Sequence, residues 1–400
     1  PSPMQSKYGT LPSLAAVDRV EVMRGPSGLF NSTSELGGGS NMVLKRPTDA
    51  FKGSVTARYG SWDRHYLEAD MGGALNDEGS LRGRVVVANA DIKNQLDYNN
   101  NDNGTYYGTL EFDLSDRTRL SVYALHQTKD ILPTNGLPAY KDGSLLDIGR
   151  STYLGSAEDF IDADTTDVGA SLQHAFANGG VGQVSARYMD HDMRLEQTFT
   201  NGPVDVAGNT GLMFNGQGNQ QKNMAFDANY SQMFDLLGHK SEFVLGSDYK
   251  RYESDIQTYT NRNLGKINVF DFDPTRVAKP DYSYTKNDHE EQSELGLYGK
   301  VTWRLMEPLA VITGARVSWY DLDAVSTTLS SGAQSGESSA FNGKLTPYAG
   351  AVYDLSDEHA WYASYSKVFK PQTSRDESGN LLKPREGSQW ETGIKSSLRD

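Results

Sequence analysis

Tyr106-Tyr107-Gly108-Thr109-Leu110-Glu111-Phe112-Asp113-Leu114 changes character at every residue. Tyr106, Gly108, Leu110, Phe112 and Leu114 fall on one side, and Tyr107, Thr109, Glu111 and Asp113 on the other. A period of two is what an extended strand shows when its two faces meet different surroundings. A helix would need apolar residues three and four apart, and that spacing is missing here. A second stretch repeats the pattern, with Leu295, Leu297, Val301, Trp303 and Leu305 opposite Glu294, Tyr298, Lys300, Thr302 and Arg304. From about Phe51 onward the alternation recurs segment after segment, enough for roughly fourteen strands.

The links between strands sort themselves by length. Short turns are predicted at Asn76–Gly79, Ser115–Arg117, Ala177–Gly180, Asp235–Gly238, Met306–Pro308 and Ser356–Glu358. Between them lie longer polar links at Lys93–Gly104, Lys129–Thr165, Glu196–Gln221, Ser254–Asn287, Asp323–Ala340 and Lys370–Ser388. A soluble sandwich has no reason to alternate short and long connections. An up-and-down barrel in an outer membrane has one, because its two rims face different compartments. A propeller would show a shared signature every 40–50 residues or so, and none is found. Tyr59, Trp62, Trp319, Tyr320, Trp361, Tyr362 and Trp390 sit near strand ends, where aromatic girdles form at lipid–water boundaries.

Composition agrees with this reading. Of the 400 residues only 37% are hydrophobic, too few for one large packed core but enough for a sheet wetted on one face. No run of 18 or more apolar residues is present, so the sequence predicts no transmembrane helix. The absence of cysteine removes thiol nucleophiles, disulfides and cysteine-based zinc sites together. A net charge of −14 argues against a nucleic-acid surface. No GxxxxGK[ST] loop occurs, so the chain carries no nucleotide-driven engine of that type.

No catalytic residues and no metal site are read from the sequence. Histidines 65, 126, 174, 191, 239, 289 and 359 form no i, i+4 pair. His191 has acidic neighbours, Asp190 and Asp192, and that triplet is expected to be a solvated strand-end rim. Asp97–Asp102 and Asp159–Asp167 are acidic but lack the glycine and glutamate spacing of a calcium loop.

The residues before Phe51 read differently. DRVEVMRGPSGLF, beginning at Asp18, is a short strand running into a breaker, and NMVLKRPT, beginning at Asn41, is a second strand stopped at Arg46-Pro47. These blocks resemble the C-terminal part of the plug in TonB-dependent outer-membrane ferric siderophore receptors. The likeness continues through YGSWDRHYLEADMGGALNDEGSLRGRVV, GLPAYKDG, YASYSKVFKPQ, DESGNLLKPREG and QWETGIK, in family order. It implies residues 1–50 as the end of a plug and 51–400 as the N-terminal portion of a transmembrane antiparallel β-barrel. On that pattern about 14 of about 22 strands are present. The chain opens at Pro1 with no targeting segment and reads as part of a longer protein.

The resemblance implies active import rather than catalysis. Its partners would be a ferric siderophore, with iron bound through the siderophore and no cofactor, and the TonB–ExbB–ExbD energy-coupling complex, engaged through a TonB box missing from this chain. Outer-membrane lipid and lipopolysaccharide would surround the barrel of a Gram-negative bacterium. Haem, cobalamin or a glycan is the alternative cargo, and an outer-membrane enzyme barrel the alternative class.

By the same resemblance, Gln5 and Tyr8 lie in the plug segment that touches siderophore, and Tyr140 in a barrel loop lining the site. Tyr153, Phe199 and Phe214 are further loop aromatics suited to that contact, since rigid rings bind at little entropic cost. Arg24 and Glu391 match a plug arginine and a barrel-wall carboxylate, and are expected to pair as a latch.

Overall fold

The computed structural model describes residues 12–24, 38–370, 372, 376–377 and 382–397. Two strands, β1 (Val17–Arg24) and β2 (Gly38–Leu44), form an antiparallel hairpin of their own. The rest is one antiparallel sheet of 14 strands in strict sequence order. They are β3 (Lys52–Gly60), β4 (Arg64–Ala74), β5 (Leu81–Asp91), β6 (Asn101–Ser115), β7 (Thr118–Ile131), β8 (Phe160–Ala175) and β9 (Val181–Asn201), followed by β10 (Asn209–Leu236), β11 (His239–Asn268), β12 (Lys286–Met306), β13 (Leu309–Thr328), β14 (Ala333–Asp354), β15 (His359–Lys370) and β16 (Arg385–Ser396). Every neighbour is reached by an up-and-down connection, and β3 and β16 are the edges.

The two faces can be told apart by what covers them. Ala15 and Ala16, just before β1, pack against Val86, Ala88, Tyr107 and Leu125 of β5, β6 and β7. That face is called inward. The opposite parity leaves Val85, Val87, Tyr106, Leu110, Val168, Leu172, Met224, Phe226, Leu245, Leu295 and Leu297 exposed. Such a band of bare apolar side chains is stable only against hydrocarbon. The aromatic girdle is partly as predicted: Tyr59, Trp361 and Trp390 are exposed, whereas Tyr320 is buried beside Phe341 on the inward parity.

Connections differ from the sequence expectation in extent. The short turns hold, but the long links shrink: β9 continues to Asn201 and β10 starts at Asn209, leaving only 202–208 between them. The predicted Ser254–Asn287 link reduces to 269–285, and Asp323–Ala340 to 329–332. The reason is physical. Alternating hydrophobicity ends where the hydrocarbon ends, while backbone ladder bonds carry on with polar residues on both faces. With 28 and 30 residues, β10 and β11 far exceed the roughly 9–11 that cross a bilayer.

A buried ion cluster stiffens the inward wall. Arg316 on β13 is fully buried, with Nη2 at 2.8 Å from both Asp248 on β11 and Glu294 on β12. Gly296 makes room for it, since a Cβ there would lie 1.9 Å from Nη2 of Arg316.

Candidate functional site: the inward wall and the outer mouth

The inward wall is clamped by the stretch leaving β2. Lys45 Nζ lies 2.8 Å from Asp70, which also takes both Nε (2.7 Å) and Nη2 (2.8 Å) of Arg84. Arg46 Nε donates to Glu111 at 2.6 Å. Glu111 is buried and faces Arg82 and Arg119 as well, at 3.6 and 3.9 Å. The Tyr107 hydroxyl donates to the Lys45 carbonyl (2.6 Å), Arg84 to that of Arg46 (3.0 Å), and Gln127 to that of Ser13 (3.2 Å). Bidentate, partly desolvated contacts of this kind hold strongly yet reversibly.

The expected latch is placed otherwise. Arg24 is exposed at the end of β1, and Glu391 accepts from the Tyr362 hydroxyl at 2.7 Å. Among the described contacts no ion pair joins the two. Lys45 and Arg46 make the ion pairs to the wall instead, because they leave β2 beside Asp70 and Glu111. The KRP triplet was visible as a strand stop, but its role depends on register across 65 residues.

At the outer ends of β6 to β9 the inward face opens into a cleft of about 370 Å³. Ile131, Ile161 and Leu195 form its floor, while Asn94, Asn135 and Gln197 supply polar edges. Gln197 donates to Asn135 at 3.1 Å. A small apolar floor with a few placed amides is the usual make-up of a ligand pocket.

The predicted ligand aromatics scatter around this mouth. Gln5 and Tyr8 lie outside the described residues. Tyr140 is half-buried, pairs in a bridge with Val204 and packs on the cluster of Leu154, Val204 and Val269. Phe199 is half-buried near the end of β9, on the same parity as Leu195 and Gln197. Tyr153 is buried inside its own loop, donating to Pro133 (3.2 Å) and Asp159 (3.0 Å), so it shapes the loop rather than meeting a ligand. Phe214 is a correction of another kind. It is fully buried on the outward parity, under Tyr282 and Tyr259, because the 269–285 connection folds back over that face.

Asp159 organises the loop between β7 and β8. Its Oδ2 accepts from Tyr153, from Ser156 N at 3.0 Å and from Thr198 N at 2.8 Å. Burial pushes its carboxyl up to about 6, against these stabilising bonds.

His191 also departs from expectation. It is buried on the inward face, with Nδ1 2.8 Å from Thr165 Oγ1, while Asp190 and Asp192 point the other way. Glu253, Asp255 and His289 come within ligating reach of one another on the outward parity, beyond the apolar band. His289 Nδ1 lies 3.0 Å from Asp255, and Arg251 crowds the group, 3.0 Å from Glu291 and 3.9 Å from Glu253. No sequence spacing announces this trio, because it assembles across two strands.

Residues 94–400 match the family model described as TonB dependent receptor-like, beta-barrel. The chain belongs to this family of TonB-dependent receptors. It is therefore part of the wall of an outer-membrane β-barrel, and its apolar band faces lipid. It is 33% identical to the ferric-pyoverdine M114 receptor PbuA of Pseudomonas sp. strain M114, over 97% of this chain and 48% of that protein. It is 32% identical to the ferripyoverdine receptor of Pseudomonas aeruginosa, over 99% of this chain and 48% of that one. The chain thus spans about half the length of these curated relatives. Among solved structures, the pyoverdine outer membrane receptor FpvA of Pseudomonas aeruginosa PAO1 bound to pyoverdine superimposes with a TM-score of 0.89 at 31% identity, covering 98% of this chain and 57% of that one. The ferric-catecholate import receptor Fiu of Escherichia coli shares the fold, with a TM-score of 0.86 at 18% identity.

Proposed function

We propose that this chain is the plug end and barrel wall of an outer-membrane receptor that imports a ferric siderophore with energy delivered through TonB. The observation that carries this reading is the N-terminal segment seated on the inward face. On this reading residues 1–50 are the end of a plug, of which 38–50 is held to the wall by Lys45 and Arg46. A folded segment inside a barrel blocks diffusion, so passage needs it to shift, and ion pairs at Asp70 and Glu111 are contacts that a mechanical pull can break and the wall can remake.

The cargo would be captured at the outer cleft, where Ile131, Leu195 and Gln197 meet loop residues and where Phe199 and Tyr140 lie close in sequence and register. Similarity to pyoverdine receptors over nearly all of this chain favours a pyoverdine-type complex over haem, cobalamin or a glycan. Iron would arrive wrapped by its siderophore. The protein then needs no metal ligands in the bore, and the Glu253–Asp255–His289 group on the outward face plays no part in capture.

The test is binding and uptake by the full-length receptor in outer membranes. Iron-loaded pyoverdine is expected to bind saturably, and its uptake to stop when TonB is removed. Binding of haem or cobalamin with none of ferric siderophores would overturn the reading.

A further inference from the structure

One strand of the inward wall is unlike the rest. Gln217, Asn219, Gln221 and Asn223 of β10 share the inward parity, and each is at most 1% exposed. Gln221 donates to Asn219 Oδ1 at 3.1 Å. Six further atoms have no hydrogen-bond partner among the described residues: Gln217 Nε2 and Oε1, Asn219 Nδ2, Gln221 Oε1, and Asn223 Nδ2 and Oδ1. His191 Nε2, directly across from Gln221 on β9, is a seventh. Buried polar atoms are nearly always paired, and leaving one unpaired costs the full desolvation of the group. Four such residues in a row, two apart, on one face of one strand make a built feature.

Its position gives it a direction. Gln217 pairs in register with Leu195, which floors the outer cleft. The ladder starts there and runs toward the short-turn rim for about 20 Å, at roughly 3.3 Å per residue. The seven atoms are screened from solvent, so a ligand reaches them only when the groups packed over them move. The ladder therefore serves passage rather than capture.

We propose that Gln217, Asn219, Gln221 and Asn223 form a transit track that takes the uncharged, amide-bearing chain of the imported ligand as it leaves the outer cleft. The free atoms on the ladder divide evenly into three donors and three acceptors. An extended polyamide offers both kinds in equal number, with a two-residue repeat of about 6.7 Å that matches the spacing of the side chains. Amides carry no charge, so each step holds the chain weakly enough to release it. This inference rests on the transport reading above and adds a second subsite to it.

The experiment compares Asn219→Leu/Gln221→Met/Asn223→Leu with the unaltered full-length receptor, using radio-iron-loaded pyoverdine on whole cells. Binding to de-energised cells is expected to stay within about twofold, while the uptake rate falls about tenfold, the factor that one lost hydrogen bond of ordinary net worth can give. Replacing unpaired buried amides by apolar groups of like shape should not lower the melting temperature. If the triple variant is not recovered from the outer membrane, Gln217→Met alone removes two free atoms and gives the same comparison. Unchanged uptake by a folded variant overturns the track, and so does loss of binding in step with uptake, which would place these residues in the capture site. Should the unaltered receptor neither bind nor import the complex, the proposed function fails first and the track falls with it.

Discussion

Two parts of the same inward face are built on opposite terms. Around β4 to β7 each charge that meets the N-terminal segment has its partner in place: Lys45 with Asp70, Arg46 with Glu111, Tyr107 with a carbonyl. On β10 the wall carries buried amide atoms that have no partner among the described residues. The first region is cross-linked by ion pairs and therefore holds. The second keeps its hydrogen-bonding capacity unspent, and only a passing partner can use it. A wall that were paired everywhere would be a better plug and a worse passage.

That contrast can be broken at several points. The largest effect is expected from Glu111→Ala, which leaves Arg46, Arg82 and Arg119 facing one another around an emptied site. Glu111 and Arg82 are buried while Arg46 and Arg119 are open to solvent, so the loss seen on denaturation in detergent should lie at the lower end of the about 3–5 kcal/mol for breaking a buried ion pair. Protease should cut the 12–50 segment faster in the same variant; an unchanged cleavage rate would mean the clamp is ornamental. Leu297→Arg, on the lipid face, should cost about 2–4 kcal/mol near the bilayer centre, and it sharpens the assignment of faces. Should Leu297→Arg be silent, the outward face does not meet hydrocarbon. Tyr107→Phe removes a single bond to the Lys45 carbonyl and should cost about 1 kcal/mol, measured as a small drop in melting temperature.

The smallest effect is one of pH and is confined to the outer loop. The Asp159 carboxyl sits at about 6 in the folded loop, above its ordinary 3.8. The folded state thus binds the proton more tightly than the unfolded one. Its contribution to loop stability is complete below pH 4 or so and is lost as pH rises through about 6. Hydrogen exchange at Ser156 and Thr198 should accordingly quicken between those values and then level off. Asp159→Asn should flatten the profile.

Much of the fold was legible because a lipid-facing strand must alternate. Tyr106 to Leu114 and Leu295 to Leu305 declared their faces correctly, as the exposure of Leu110 and the burial of Tyr107 attest. What could not be read were the outer strand extensions, where Asn209–Lys222 has polar residues on both faces and no pattern to betray a ladder. The site was less legible still. A ring is all that singles out Tyr153 and Phe214 in the sequence, yet loops folding back decide what a ring meets, and those contacts are long-range. The β10 amides were in plain sight at alternate positions, but an amide says nothing about whether it is paired. Only the packing of the folded wall shows that these have no partner among the described residues.

The length of β10 and β11 carries a consequence for life at the cell surface. At about 3.3 Å per residue these strands would measure roughly 90 Å along their axes, while the hydrocarbon they cross is near 30 Å thick. The paired outer ends of β10 and β11 form a stiff mast standing well clear of the bilayer. Antibodies or toxins that approach a living cell would meet this crest well above the lipid.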